Sequence, residues 1–328
     1  MPSASHFPTR ALGLALGLLL LAGCQSSPPP PPAPPTPPSD TATPAPVDAP
    51  EEADSAPMGE ETAALGDFTS LATEGVSPHL EQGENGTFRL SYSSITAGGL
   101  VVAECTSDFS CSTSTVLDRM ADLTVVITGS GERRGYWVEM NPDTKNKEIY
   151  TGLISEDGTS VSGGMSLGFS DEGQMGWGVP DAVTLEDGRV RLYWVVSGEG
   201  RAQERIVSAT STDNTGTTFV DDGGFRFTGG YVDFEVLDAT EGNWVAVMSS
   251  SPESLPDSPQ GIFVATSPDG VEWSTSGVNI APVSASYLDP TGVENADGSY
   301  TLVVAVAPNA IGLRDYDLQV TTLTLGSP

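Results

Sequence analysis

The residues able to do chemistry in this chain of 328 residues are mostly acidic. His79, Asp122, Asp181, Asp233 with Glu235, and Asp289 recur at comparable intervals along it. If the fold gathers them, their carboxylates repel, and each must be solvated, protonated or bridged by a cation. Such a set could accept hydrogen bonds from a ligand's hydroxyls, with His79, Asp233 and Asp289 as binding residues. It could also ligate Ca²⁺ through oxygen, with Asp181, Asp233 and Asp289 as the metal set and calcium as the cofactor. Asp233 and Glu235 share one face of a strand, leaving Val232, Phe234 and Val236 on the other. The plainer alternative is that each aspartate caps its own loop or faces water, and that His79 is a hydrogen-bonded strand residue. Trp177, ahead of another strand, could stack on a sugar ring or simply pack. A serine–histidine–acid hydrolase would have to recruit His79, because the other histidine, His6, sits in the leader. No glycine-rich phosphate loop follows a strand and opens a helix, so nucleotide cofactors are not indicated.

The elements that must position these residues read as strands. "VRLYWVVS", "NWVAVMSS", "GIFVATS" and "YTLVVAVA" are continuous runs of β-branched and aromatic residues between turn residues, and there is no long amphipathic helix. Trp137, Trp194 and Trp244 lie in such runs and should be core. Two kinds of turn repeat. Glu84-Asn85-Gly86, Gly129-Ser130-Gly131, Asp187-Gly188, Glu241-Gly242 and Asp297-Gly298 each precede a strong strand, and their closing glycines are 45, 57, 54 and 56 residues apart. That period suits a four-stranded sheet with loops. Thr106-Ser107-Asp108, Ser155-Glu156-Asp157-Gly158, Ser211-Thr212-Asp213 and Ser267-Pro268-Asp269-Gly270 form the second kind, with Phe219 or Trp273 able to pack beneath. The pattern predicts an all-β, five-bladed β-propeller of four-stranded antiparallel blades over 65–328. The second turn lacks a fifth copy, so the last blade should borrow its outermost strand from "GDFTSLATEG" near the start. A β-sandwich is the competing architecture.

The N-terminus reads differently. One basic residue, Arg10, and the run "ALGLALGLLLLAG" fit a secretory signal over 1–23, too short to span a membrane. Leu21-Ala22-Gly23-Cys24 resembles the lipobox of bacterial lipoproteins. The resemblance implies cleavage before Cys24, its lipidation, and membrane attachment through acyl chains. Gln25-Ser26, with no aspartate, points to the outer membrane, on its periplasmic or its outward face. An ordinary signal peptide with an incidental cysteine is the alternative. Residues 24–64, with "SSPPPPPAPPTPPSD", have little to bury and should form a disordered, partly polyproline II linker. It suits a spacer, and less commonly a ligand for Pro-binding modules. Cys105 and Cys111, in an exported chain, should close a hairpin tip as a disulfide. Thirteen basic against 44 acidic residues give a net charge of −31 and an isoelectric point near 4.1, which disfavours nucleic acid as a partner. The charge serves solubility or attracts cations. A monomer is expected.

"VPDAVTLEDGRVRLYWVVSG" with "RIVSATSTDN", and "GIFVATSPDGVEWS", resemble blade repeats of the five-bladed arabinanase, xylosidase and levansucrase propellers. "SPDGVEW" is similar to the sialidase Asp-box, one residue shorter between aspartate and tryptophan; that box is structural. In the glycosidases the resemblance points to, inner strands of the first three blades carry an aspartate base, a second aspartate that tunes acidity and a glutamate acid. Here the first position reads Ser77-Pro78-His79, with no base, and the third offers Asp181 without a glutamate. The reading is therefore a membrane-anchored binding or scaffold module rather than an enzyme, taking carbohydrate or protein at its axial face. Its alternative is a divergent glycoside hydrolase with Asp122, Asp181 and Glu235 as catalytic residues.

The anchor makes a direct prediction. Labelled palmitate fed to expressing cells should enter the wild-type protein and not Cys24→Ala, and the variant should leave the membrane fraction; equal labelling of both would remove Cys24 as the lipid site.

Overall fold

A computed structural model describes residues 63–170, 178–196, 204–227, 230–252, 259–307 and 316–326. Cys24 and Trp177 lie outside the described residues. Apart from a short 3-10 turn at Glu84–Gly86, the regular structure among the described residues is all strand.

Twenty-one strands build five antiparallel sheets. The first two in sequence, β1 (Ala64–Leu65) and β2 (Thr69–Glu74), are placed last in the ring. Blade 1 is β3 (Val76–Gln82), β4 (Phe88–Ser94), β5 (Gly99–Cys105) and β6 (Cys111–Asp118). Blade 2 is β7 (Ala121–Ile127), β8 (Arg133–Met140), β9 (Lys147–Ile154) and β10 (Val161–Ser170). Blade 3 is β11 (Gly178–Thr184), β12 (Val190–Val196), β13 (Arg205–Ser211) and β14 (Phe219–Asp221). Blade 4 is β15 (Tyr231–Thr240), β16 (Asn243–Ser250), β17 (Ile262–Ser267) and β18 (Ser274–Thr275). Blade 5 is β19 (Ser286–Glu294), β20 (Tyr300–Ala307) and β21 (Asp317–Thr324), completed by β1 and β2, which both pair with β21. The early strand thus supplies the missing outer edge and closes the ring, as the turn pattern predicts; this is a β-propeller and not a sandwich.

Each blade presents apolar residues on both faces, so the cores lie between blades. Leu100 of blade 1 meets Leu123 and Trp137 of blade 2, and Tyr136 of blade 2 meets Leu192 of blade 3. Tyr193 of blade 3 packs on Phe234, Trp244 and Trp273 of blade 4. Ile262 and Val247 of blade 4 meet Tyr287, Val304 and Leu302 of blade 5, whose Val303 and Leu318 pack on Leu80 and Leu90 of blade 1. Trp137 and Trp244 are buried, and Trp194 is half-buried against Phe169. The Cys105–Cys111 disulfide joins residues directly opposite each other on β5 and β6.

The repeated outer turns have a packing duty. In Ser267-Pro268-Asp269-Gly270, Asp269 Oδ1 accepts from the amides of Val271 and Glu272, while Ser267 Oγ accepts from that of Gly270. Gly270 has φ +74, and a Cβ there would come within 2.8 Å of the Trp244 ring, so no larger residue fits. Its carbonyl is the docking point for blade 3: Tyr193 Oη donates to it at 2.6 Å, and Trp273 Nε1 at 2.9 Å. Blades 2 and 3 repeat the contact, with Tyr136 Oη donating to the Gly216 carbonyl at 2.8 Å.

Removing either phenol hydroxyl should therefore destabilise the ring by about 1 to 2 kcal/mol. Because the Gly270 carbonyl keeps Trp273 as a donor, Tyr193→Phe should lower the urea midpoint less than Tyr136→Phe; the reverse order would contradict this account of the interblade contacts.

Candidate functional site at the propeller axis

The innermost strand of each blade has one edge with no ladder partner, and its amides still need acceptors. All five of these strands bulge at the same place. The register shifts fall between Val76 and His79, Ala121 and Thr124, Gly178 and Asp181, Val232 and Glu235, and Leu288 and Thr291. The first bulge residues, Ser77, Asp122, Val179, Asp233 and Asp289, have φ of 48°, 53°, 34°, 52° and 48°. A side chain in that region costs about 1 kcal/mol or more per residue, and β-branched Val179 is the worst suited. The middle residues, Pro78, Leu123, Pro180, Phe234 and Pro290, are buried, and the three prolines bring no amide that would need an acceptor. The third residues, His79, Thr124, Asp181, Glu235 and Thr291, are all polar.

These side chains satisfy the next blade. On the third-residue level, His79 Nε2 accepts from the Val125 amide at 3.1 Å, Asp181 Oδ2 from that of Val236 at 2.9 Å, and Thr291 Oγ1 from that of Leu80 at 3.2 Å. Thr291 Oγ1 in turn donates to Glu235 Oε1 at 2.8 Å. On the first-residue level, Asp233 Oδ2 accepts from the Asp289 amide at 3.3 Å, Asp289 Oδ2 from that of Ser77 at 2.9 Å, and Ser93 Oγ from that of Asp122 at 3.1 Å. The hub is stapled by acceptors, which explains why it is acidic.

The first-residue level is also the floor of a cavity of about 380 Å³, lined by all five bulge residues with Val76, Ile95, Val232, Leu288 and Tyr316 as largely apolar wall. Glu74, Lys147 and Glu204 are its other charged residues. Beneath the floor, a throat of about 20 Å³, enough for one small group, reaches His79, Thr124 and Glu235. The two levels form two carboxyl pairs. Burial, and then the charge of Asp289, pushes Asp233 well above the usual carboxylate range. Burial and the charge of Asp122 raise Asp289 to about 6, against the opposing bonds from Ser77. Deeper, burial raises Asp181 to about 7 despite the Val236 amide, and burial with the Asp181 charge lifts Glu235 further. Each pair therefore holds a proton between its two carboxyls at neutral pH. Asp122 is raised by burial and partly restored by the Lys147 charge, while burial lowers His79 and keeps it neutral.

Several expectations change here. Asp122 and Glu235 both line the throat, and Asp122 lines the cavity floor as well, while Asp181 lines neither and is engaged by the Val236 amide. The calcium set does not assemble either. Asp181 sits on one level and Asp233 with Asp289 on the other, and among the described residues no group of three or more acidic, histidine or cysteine side chains could hold a metal ion. Asp233 and Asp289 do line the cavity, His79 faces only the throat, and Trp177 lies outside the described residues. Ser77, Val179 and Thr291 were not singled out by their types, although aligning "SPH", "DLT", "VPD", "DFE" and "DPT" places them in the same register.

No known family pattern matches the chain, and no curated protein matches it in sequence. Solved structures do match it in shape. A thermostable family-43 glycoside hydrolase is 12% identical with a TM-score of 0.57, covering 81% of this chain and 95% of its own. An endo-1,4-beta-xylanase from Bacteroides thetaiotaomicron is 11% identical, TM-score 0.58, covering 80% and 97%. An endo-arabinase from the same organism is 13% identical, TM-score 0.57, covering 78% and 97%. At such identity the likeness shows the fold: a five-bladed propeller with structural neighbours among family-43 glycoside hydrolases.

The shared protons carry a stability prediction. Carboxyls raised in the folded state stabilise it fully at about pH 4 and below, and that contribution is lost as pH rises through about 6 for Asp289 and about 7 for Asp181. Turn aspartates such as Asp157, held at about 2 by Ser155 and Thr159, act oppositely but only at the acid end. Unfolding free energy from urea titrations should fall between about pH 4 and 8, and Asp181→Asn, which keeps an acceptor for Val236, should flatten the upper part of the fall. A rise over that window would rule out proton sharing at the hub.

Proposed function

We propose that this chain is a glycosidase-like propeller that takes a carbohydrate in its axial cavity and cleaves a glycosidic bond there. The observation that carries the reading is one carboxyl pair that retains a proton, Asp233 with Asp289, beside a third carboxyl, Asp122, on the floor of a single cavity. Hydrolysis needs a proton donor for the leaving oxygen and an acceptor for the attacking water. Asp233, raised furthest by burial and by Asp289, is suited to donate. Asp122, drawn towards its ionised form by Lys147, is suited to accept. In the step, the bond from the anomeric carbon to the leaving oxygen breaks as Asp233 protonates that oxygen. Water's oxygen bonds to the same carbon, and its proton passes to Asp122. Asp233 and Asp289 are then both ionised until the proton taken up by Asp122 returns to the pair. The likeness to xylan- and arabinan-cleaving propellers supports pentosides as first substrates to try.

A second reading, binding without turnover, is favoured by Ser77. It stands in the first blade where the resemblance puts an aspartate base, and both its amide and its Oγ are engaged by Asp289. In either case the export signal and Cys24 support a chain held at the outer membrane by lipid, with the Pro-rich segment as spacer.

Release of nitrophenol from aryl arabinofuranosides and xylosides separates the two. Wild type should turn over, and Asp122→Asn and Asp233→Asn should each lower kcat/KM by about 100-fold or more at unchanged melting temperature. Saturable sugar binding with no turnover by any of the three proteins would favour the second reading.

A further inference from the structure

The cavity's electrostatics are incomplete in a specific way. Among the described residues five acidic ones line it, Glu74, Asp122, Glu204, Asp233 and Asp289, against one base, Lys147. Tyr316 is the remaining titratable group on the wall, and the carboxyls below push its phenol upwards after burial. Among the described residues no arginine lines the cavity to hold the floor carboxylates ionised. They solve this by retaining a proton. A cationic ligand would solve it differently, by supplying the missing charge.

The throat adds a requirement of opposite polarity. His79 is 8% exposed, and its Nε2 is occupied as an acceptor by the Val125 amide. The neutral ring therefore carries its proton on Nδ1. That N–H has no partner among the described residues, and the ring borders the throat together with Asp122, Asp233 and Asp289. An unpaired buried donor asks for an oxygen. A matching ligand brings an ammonium and an oxygen close together on a compact body with an aliphatic face for the Val76, Val232 and Leu288 wall.

We propose that the axial cavity selects a sugar bearing a free, protonated amine, with the ammonium held among Asp122, Asp233 and Asp289 and a neighbouring oxygen accepting from His79 Nδ1. This rests on the carbohydrate reading above and names its substrate class. Binding is linked to proton release: the ammonium needs Asp289 ionised and displaces its proton below about pH 6, where Asp289 titrates, so affinity increases as pH rises through that value. The net charge of −31 adds long-range attraction for cations.

Calorimetry on the full propeller tests this with galactosamine and glucosamine, beside their N-acetyl forms and the parent hexoses. The amino sugars should bind at least about tenfold tighter than both controls. Their affinity should rise about tenfold between about pH 5 and 7, the gain expected for displacing one proton from a group titrating near 6, and buffers of different ionisation enthalpy should report that proton. Asp289→Asn should abolish the preference. Asparagine keeps an acceptor for the Ser77 amide, and Lys147→Met gives a reading independent of the hub's folding, because loss of the competing cation should tighten amine binding. Equal affinity for galactose and galactosamine, or pH-independent affinity, overturns the proposal. Turnover of neutral pentosides without amine preference would refute the amine alone; amine-selective binding without turnover supports it while removing the hydrolase.

Discussion

The unpaired inner edges of five strands govern this molecule. A ring of sheets leaves its short outer edges to water at the rim, while the strands around the axis keep one row of amides that no ladder can reach. Water is scarce there, so acceptors must come from side chains. The bulges turn His79, Asp181, Asp233, Asp289 and Thr291 towards the next blade, whose amides use them. The strained φ values of Ser77, Asp122, Val179, Asp233 and Asp289 are the cost of that orientation. The interblade apolar clusters and the Tyr136 and Tyr193 contacts hold the blades at the distance at which the staples form.

This constraint sorts the hub's acids. A carboxylate has two oxygens, and accepting an amide occupies one. Asp181 uses Oδ2 this way beneath the floor and shares a proton with Glu235. Asp233 and Asp289 do the same with Oδ2 but line an open cavity, so their other oxygens face whatever enters. Asp122 is held only through hydroxyls and its own amide, by Ser93 and Ser77, and is the least committed of the four. Position in the ring, more than residue type, separates structural from chemical acids.

Much of the architecture was legible in the sequence because turns are local. Asp187-Gly188 or Ser267-Pro268-Asp269-Gly270 announces itself from neighbouring residues, and the intervals between copies report the blade. The short segment at 69–74 could be assigned to ring closure because one outer strand was missing at the far end. The site was legible only in outline. Asp122, Asp233 and Asp289 stand out as acids in phase, while Asp181 shows its deeper level only when "VPD" is aligned with "DLT", "DFE" and "DPT", where it falls two residues later. Lys147 and Tyr316 reach the cavity from outside the inner strands, so their role depends on packing between distant segments. Ser93 likewise comes from the second strand of its blade.

The pairing of β2 with β21 has a consequence for the order of assembly. Thr321 Oγ1 donates to the Gly66 carbonyl across 255 residues of sequence. The earliest strand therefore waits, with its own edge open, until the last has been delivered, and only then does the circle become a single cooperative body. During synthesis this leaves a long interval in which a nearly finished propeller is an open arc, vulnerable to a strand from another copy. The clasp is the step at which a chaperone or a proteolytic check would act with greatest effect.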